Sequence, residues 1–147
     1  MIQSLGMIEW NWLEGAWHLG QMLIAFLITL PIAWNREQAD RVMGLRTFPL
    51  VAMASCGFML LAQSVFRDAP DAQARALQGI ITGIGFIGAG AILKQDGNVK
   101  GSATAASIWN VGAIGAAVAL NRYEIAVALG LADFLILRYL TKLKHGK

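Results

Sequence analysis

Four long stretches of this chain lack charged residues, and they restrict the folds that it can adopt. Residues 15–35, 47–66, 76–93 and 101–121 contain no Asp, Glu, Lys or Arg, and they are 21, 20, 18 and 21 residues long. A helix needs about 20 apolar residues to cross the hydrocarbon core of a bilayer. Only 14% of the residues are charged, whereas soluble domains average about 25%. The pattern predicts an integral membrane protein.

A fifth segment, Ile125–Leu137, is apolar except for Asp133. We therefore expect an all-α integral membrane protein in which residues 1–147 form one compact bundle of about five transmembrane helices. Pro31 predicts a kink or an early end in the first helix. The predicted helices cover approximately residues 17–34, 48–66, 76–93, 102–120 and 123–140.

The basic residues predict how this bundle is oriented. With the N-terminus outside and the C-terminus inside, nine basic residues fall in inside segments and three, Arg67, Arg75 and Arg122, fall outside. Cytoplasmic loops carry an excess of Lys and Arg, so this orientation is favoured. The basic residues thus follow the membrane topology, and we expect no nucleic-acid partner. The bilayer itself is the expected environment.

Several other classes of protein are disfavoured. No basic residue precedes Arg36, so the N-terminus is not expected to be a cleavable signal. The single cysteine, Cys56, excludes an internal disulfide and a cysteine-based metal cluster. His18 and His145 are isolated near the termini, and no phosphate-binding loop is present. We expect no enzyme activity and no cofactor.

The third predicted helix is rich in glycine. Three of its glycines fit the dinucleotide fingerprint G-x-G-x-x-G, but the acidic residue expected about 20 positions later is missing from the uncharged segment that follows. In a membrane helix, glycines instead allow close approach of another backbone or a break that lines a site. We interpret them as a packing motif comprising Gly79, Gly83, Gly85, Gly88 and Gly90.

Asp133 lies near the middle of the fifth predicted helix. A charged group at the bilayer centre costs about 2.5–3.5 kcal/mol on insertion scales, so its carboxyl should face protein or water. Ala126 and Gly130 share its helical face and favour close packing there. Two interpretations of Asp133 stay open. It is either an ion ligand or proton site, or a protonated aspartate that forms a hydrogen bond in a helix contact. Under the first interpretation, Asp133 is the candidate metal ligand.

Three polar residues recur at three-residue spacing on the fourth predicted helix, namely Thr104, Ser107 and Asn110. They predict either a polar path with oxygen ligands for a hard cation such as magnesium, or hydrogen bonding between helices. The second interpretation is favoured, because no carboxylate cluster accompanies them in the sequence.

The loop between the first two helices, residues 35–46, is the longest and most charged inside segment. It carries Arg36, Glu37 and Arg46, and Thr47 is a candidate N-cap of the second helix. Two interpretations of this loop stay open. The loop is an exposed anchor that follows the positive-inside rule, or it forms a gate or docking surface. In the second case, Arg36 or Arg46 would cap a helix end or pair with Glu37.

Taken in order, these segments resemble the MgtC/SapB family of bacterial inner-membrane proteins over about residues 20–140. The resemblance rests on Arg36-Glu37, Gly44-Leu45-Arg46-Thr47, Thr82-Gly83-Ile84-Gly85-Phe86-Ile87-Gly88-Ala89-Gly90, Gly101, Thr104-Ala105-Ala106-Ser107-Ile108-Trp109 and Ile114-Gly115. Asn35 replaces a carboxylate that is usual in the family, and Asp133 is not part of the family pattern.

The resemblance implies a multi-pass protein of the bacterial inner membrane that is linked to magnesium homeostasis, growth at low magnesium and survival inside host cells. It implies magnesium as a substrate or regulator and not as a cofactor. Two functions follow as alternatives: transport of magnesium or another ion, or regulation of a partner membrane protein such as the ATP synthase or a transporter. A homo-oligomer is a further possibility. Some members carry an ACT-like domain after the last helix, and this chain, which ends at Lys147, is expected to be a short form without it.

Overall fold

The computed structural model describes residues 11–38, 43–95 and 98–140, and within them the chain is a helical bundle. The five α-helices of this part are α1 (Trp12–Gln38), α2 (Thr47–Val65), α3 (Pro70–Ala89), α4 (Ser102–Ala119) and α5 (Tyr123–Leu135). A π-helical turn, Ile136–Leu140, continues α5, and two short antiparallel strands, β1 (Leu93–Gln95) and β2 (Asn98–Lys100), lie between α3 and α4.

Three of these helices are long and apolar enough to cross a membrane, namely α1, α2 and α4. The helices predicted at 76–93 and 123–140 are present as α3 and as α5 with its π-helical turn, but they do not meet the same criterion of length and apolar composition. The structure therefore supports a helical membrane protein with three candidate spans. The five spans and the orientation of the termini stay predictions.

Helix α4 forms the centre of the bundle, and it packs against α1, α2, α3 and α5. Its buried side chains include Ile108, Val111, Ile114 and Val118, which contribute to a core that also contains Phe48 of α2. Such a central helix has little exposed surface, and its apolar residues accordingly occupy all of its faces rather than one stripe.

The ends of the helices follow from local chemistry. The side-chain oxygen of Asn11 accepts hydrogen bonds from the backbone N–H groups of Leu13 (3.2 Å) and Glu14 (3.3 Å), as an N-cap does. Pro70 occupies the first turn of α3, where its missing N–H is not needed. Gly101, with a φ of 91°, precedes α4 in the left-handed conformation that favours glycine.

Several boundaries differ from the prediction. Helix α1 begins at Trp12 and continues through Pro31 to Gln38, so the predicted early end is wrong. Helix α3 begins at Pro70 and ends at Ala89, earlier than predicted at both ends. Between α3 and α4 the two strands pair, Leu93 with Lys100 and Lys94 with Val99.

Candidate functional site

A buried polar contact joins α4 and α5. The Ser107 hydroxyl donates a 2.7 Å hydrogen bond to Oδ1 of Asp133, and the Asn110 side-chain amide donates a 3.2 Å hydrogen bond to Oδ2. The same amide nitrogen lies 3.2 Å from the carbonyl oxygen of Leu129. Both carboxylate oxygens therefore have a donor from α4. The structure brings together three of the four predicted ligand candidates.

The spacing of these residues explains the contact. Ser107 and Asn110 are three residues apart, and Leu129 and Asp133 are four apart, so each pair occupies one helical face. Gly130 lies between the latter two, and a Cβ there would lie 2.7 Å from the Ile28 side chain of α1. Glycine at this position thus allows α5 to approach α1 closely at the level of the carboxylate.

Arg36 of α1 is also buried in the bundle. Its residue surface is 3% exposed and that of Asp133 is 7% exposed. The guanidinium donates a 3.0 Å hydrogen bond to Oδ1 of Asn35. The interpretation of Arg36 as part of an exposed loop is wrong, because α1 extends past it and its side chain is buried.

Glu37, the next residue, joins α1 to α2. Its Oε2 accepts a 3.0 Å hydrogen bond from the backbone N–H of Leu45. The carboxylate lies over Gly44, where an added Cβ would clash with Oε2. The Gly44 carbonyl then accepts hydrogen bonds from the N–H groups of Thr47 and Phe48. Glu37 therefore connects the end of α1 to the backbone that leads into α2.

The predicted N-cap at Thr47 is wrong. Thr47 is the first residue of α2, and Arg46 occupies the N-cap position. The Arg46 side chain makes no capping hydrogen bond. Pro49 is in the first turn of α2. Arg46 is exposed. The part of the loop from residue 39 to 42 lies outside the described residues.

Replacing Glu37 by glutamine should weaken the junction between α1 and α2. The amide can still accept a hydrogen bond, but the charge-assisted bond to Leu45 becomes an ordinary one. Because the bond is exposed, we expect a loss of about 1 kcal/mol in stability. Thermal unfolding in detergent measures this loss of stability. The control is Glu14→Gln, which makes the same change on the first turn of the same helix. Equal unfolding temperatures for the two variants would argue against a role of Glu37 in the junction.

The glycine-rich helix α3 uses its glycines in different ways. A Cβ at Gly88 would lie 3.1 Å from the Ala105 carbonyl oxygen of α4, so this glycine permits a close helix contact. Gly90 ends the helix, and a Cβ there would meet the Ile87 carbonyl at 3.2 Å. An added Cβ at Gly79, Gly83 or Gly85 would meet no atom within 4 Å. The run is therefore not one packing face within this chain.

Two glycines outside the run make tighter contacts. A Cβ at Gly112 would clash with the Ile84 side chain of α3, and one at Gly115 would clash with the backbone of Ala52 in α2. Sequence reasoning missed these positions, although Gly112 and Gly115 lie on an uncharged helix where small residues indicate close packing. The contacts of α4 with α2 and α3 are consequently close and apolar.

The remaining polar candidate, Thr104, is buried near the start of α4, one turn before Ser107. Trp109 is half exposed and borders an apolar cavity of about 250 Å³ between α3 and α4. Among the residues that the structure describes, no three His, Cys, Asp or Glu side chains are grouped in a way that could hold a metal ion. Asp133 is thus a single carboxylate that accepts hydrogen bonds from two neutral donors.

The comparison with known families assigns the chain. The model of the MgtC family matches residues 22–145, which include all the residues of the buried cluster. This chain belongs to the MgtC family. The match extends over most of the chain, as the resemblance in the sequence predicted. No solved structure matches the chain significantly.

Individual relatives agree with this assignment. The chain is 36% identical to "Protein SrpB" of Synechococcus elongatus, over 78% of this chain and 70% of SrpB. It is 37% identical to "Protein MgtC" of Salmonella typhimurium over 73% of this chain, which covers 45% of that protein. It is 32% identical to the "Putative magnesium transporter YhiD" of Escherichia coli K12, over 80% of this chain and 57% of YhiD. The chain therefore spans about half the length of the last two relatives.

Proposed function

We propose that this member of the MgtC family is a bacterial inner-membrane protein of magnesium homeostasis that regulates a partner membrane protein without conducting magnesium itself. The link to magnesium is supported by the family and by the printed name of the YhiD relative. The choice of regulation over transport is supported by the chemistry of the buried cluster.

The observation that carries this choice is the set of hydrogen-bond donors at Asp133. A magnesium ion prefers several oxygen ligands, commonly one or two carboxylates together with waters. Here the single carboxylate accepts a hydrogen bond on each oxygen, from Ser107 and from Asn110. A divalent cation at this position would have to displace both donors, and the described residues offer it no group of acidic or histidine ligands. The cluster suits a structural role in joining two helices.

The contact between α3 and α4 supports the same choice. Gly88 lies against the Ala105 carbonyl, and Gly112 lies against Ile84. The cavity beside them is lined mainly by apolar side chains such as Leu77 and Ile80. An ion moving between these helices would lose its water without gaining oxygen ligands, which is costly.

The surface proposed for the partner is the exposed region around Arg46. Glu37 and Gly44 hold this end of the loop against α1 and α2. Arg46 is therefore presented from an ordered backbone, and its charged fork can pair with carboxylates of another protein.

Flux measurements test the absence of transport. Purified protein in liposomes that contain a magnesium-sensitive dye should give the same magnesium entry as empty liposomes. The control is the addition of an ionophore, which must produce a signal in the same vesicles. Magnesium entry that depends on the protein and is reduced by Asp133→Asn would overturn the proposal.

Transport is the second candidate function, and one observation favours it. The Asp133 carboxylate, the Ser107 hydroxyl and the Leu129 carbonyl place several oxygen atoms together inside the bundle. If Asp133→Asn abolishes a measured ion flux while Glu124→Gln, at the start of the same helix, does not, transport through this cluster replaces regulation.

Partner binding is tested by crosslinking in native membranes. We expect a discrete complex with another membrane protein, and Arg46→Ala should reduce its yield several-fold. Lys94→Ala removes one positive charge from the exposed strand β1 and serves as the matched control. An equal loss in both variants would indicate a general effect of charge and contradict a specific role of Arg46.

A further inference from the structure

A polar cavity lies at one end of the bundle, separate from the buried cluster around Asp133. Its volume is about 360 Å³, and ligand pockets typically measure about 300–1,000 Å³. The start of α1, the end of α2 and the start of α3 meet there, so the cavity lies at the opposite end of α2 from Arg46. The polar side chains that line it are those of Glu14, His18, Gln63, Ser64, Arg67 and Gln73.

Three of these side chains are held in place by hydrogen bonds to backbone carbonyl groups. The Gln63 amide donates a 3.1 Å bond to the carbonyl of Ala119, and the Gln73 amide donates a 2.8 Å bond to the carbonyl of Phe66. The Ser64 hydroxyl donates a 2.9 Å bond to the carbonyl three residues earlier. Each of these side chains keeps an oxygen atom that can accept a further hydrogen bond. The cavity therefore offers acceptors to a ligand with N–H groups.

The lining also carries one charge of each sign at close range. The Arg67 guanidinium lies 3.8 Å from the Glu14 carboxylate, which is longer than a hydrogen bond. The two side chains are 75% and 45% exposed, and exposed pairs of this kind contribute about 0–1 kcal/mol. A ligand that satisfies both charges can therefore replace this contact at little cost.

The two charges select the chemistry of the ligand. An anion would be attracted by Arg67 but repelled by Glu14, and a metal cation would be attracted by Glu14 but repelled by Arg67. A zwitterion satisfies both. The two charged side chains are neighbours, and the ammonium and carboxylate groups of an α-amino acid are neighbours too, because they share one carbon atom. Phosphoethanolamine, by contrast, separates its charges by a longer chain.

We propose that this cavity binds an α-amino acid with an aliphatic side chain. The Arg67 guanidinium binds the carboxylate through two parallel hydrogen bonds. The Glu14 carboxylate and the oxygen atoms of the two glutamine side chains accept hydrogen bonds from the ammonium group. The aliphatic side chain packs against the apolar part of the lining, Leu60 and Leu120. The site does not depend on the function proposed above.

Isothermal titration calorimetry of the purified full chain in detergent, with leucine as the ligand, tests the proposal. We expect saturable binding of one leucine per protein. Glu14→Gln and Arg67→Gln should each weaken it by about tenfold or more, as the loss of a charge-assisted hydrogen bond does. The matched controls are Asp71→Asn and Arg75→Gln, which remove the same charges from exposed positions of α3 that do not line the cavity. Both should bind leucine like the original chain.

Two analogues of leucine test the charged contacts one at a time. Leucinamide keeps the ammonium group but lacks the carboxylate, and 4-methylpentanoate keeps the carboxylate but lacks the ammonium group. The original chain should bind each of them about tenfold or more weakly than leucine. Arg67→Gln should lose the preference for leucine over leucinamide, and Glu14→Gln should lose the preference for leucine over 4-methylpentanoate. A general disturbance of the structure would instead weaken all three ligands and keep both preferences.

Four results would each overturn the proposal. They are no saturable binding of leucine, equal binding of leucine and its two analogues, tighter binding of phosphoethanolamine than of leucine, and preferences that both variants retain. Thermal unfolding without ligand verifies that each variant is folded. If Arg67→Gln does not fold, Arg67→Lys is measured in its place. Lysine keeps the charge but not the paired hydrogen bonds, so the preference for leucine over leucinamide should fall, and an unchanged preference would contradict the assigned contact.

Discussion

Replacing Asp133 by leucine is expected to destabilise the bundle by about 2 kcal/mol, because it leaves the Ser107 hydroxyl and the Asn110 amide without the acceptor that joins α4 to α5. Asp133 and Ser107 are both buried, and Asn110 is half-buried. The Asn110 amide can still donate to the Leu129 carbonyl oxygen, so the Ser107 hydroxyl accounts for most of the loss. Thermal unfolding in detergent, followed by size-exclusion chromatography with fluorescence detection, measures the change.

A double-mutant cycle separates this effect from the loss of packing by the aspartate side chain. Ser107→Ala/Asp133→Leu removes both the donor and the acceptor. The double variant should lose less stability than the sum of the two single variants, since it leaves no buried hydroxyl without an acceptor. A double variant that shows the sum of the two single effects would contradict an interaction between the two residues.

The helices could be predicted because their cause is local. A stretch without charges long enough to span a bilayer is visible directly in the sequence, and every predicted segment overlaps a helix of the structure. The predicted ends of the helices were less accurate. Helix α1 passes Pro31, where a kink or an early end was expected. The hairpin after α3 depends on the pairing of two three-residue strands, which give little signal in the sequence.

The burial of Arg36 could not be predicted, because it depends on how distant segments pack. The charge pattern around Arg36 is equally typical of a solvent-exposed loop. The contact of Asp133 with Ser107 and Asn110 was closer to prediction, since all three were recognised as polar residues on apolar helices. Periodicity identified the faces, but it could not show that the faces meet.

The glycine contacts also depend on how the helices pack. The dense glycine run in α3 predicts a packing motif, yet Gly79, Gly83 and Gly85 have open surroundings in this chain. The tightest helix contacts involve Gly112 and Gly115, which stand singly among alanines in α4. A high density of glycines in the sequence therefore does not indicate a close helix contact in the structure. The distance between two helices depends on which face of each helix meets its neighbour.

Replacing Gly115 by valine is expected to disrupt the contact between α2 and α4, with a loss of about 3 kcal/mol or more, at the upper end for overpacked cores. A Cβ there would lie 3.0 Å from the Ala52 carbonyl carbon and the Cys56 amide nitrogen, and these backbone atoms cannot move without shifting α2. Thermal unfolding in detergent measures the loss. Gly85→Val is the control, since it adds the same side chain to a helical glycine with open surroundings and should change stability by less than about 1 kcal/mol. Similar losses in both variants would mean that the cost comes from helix propensity and not from the α2–α4 contact.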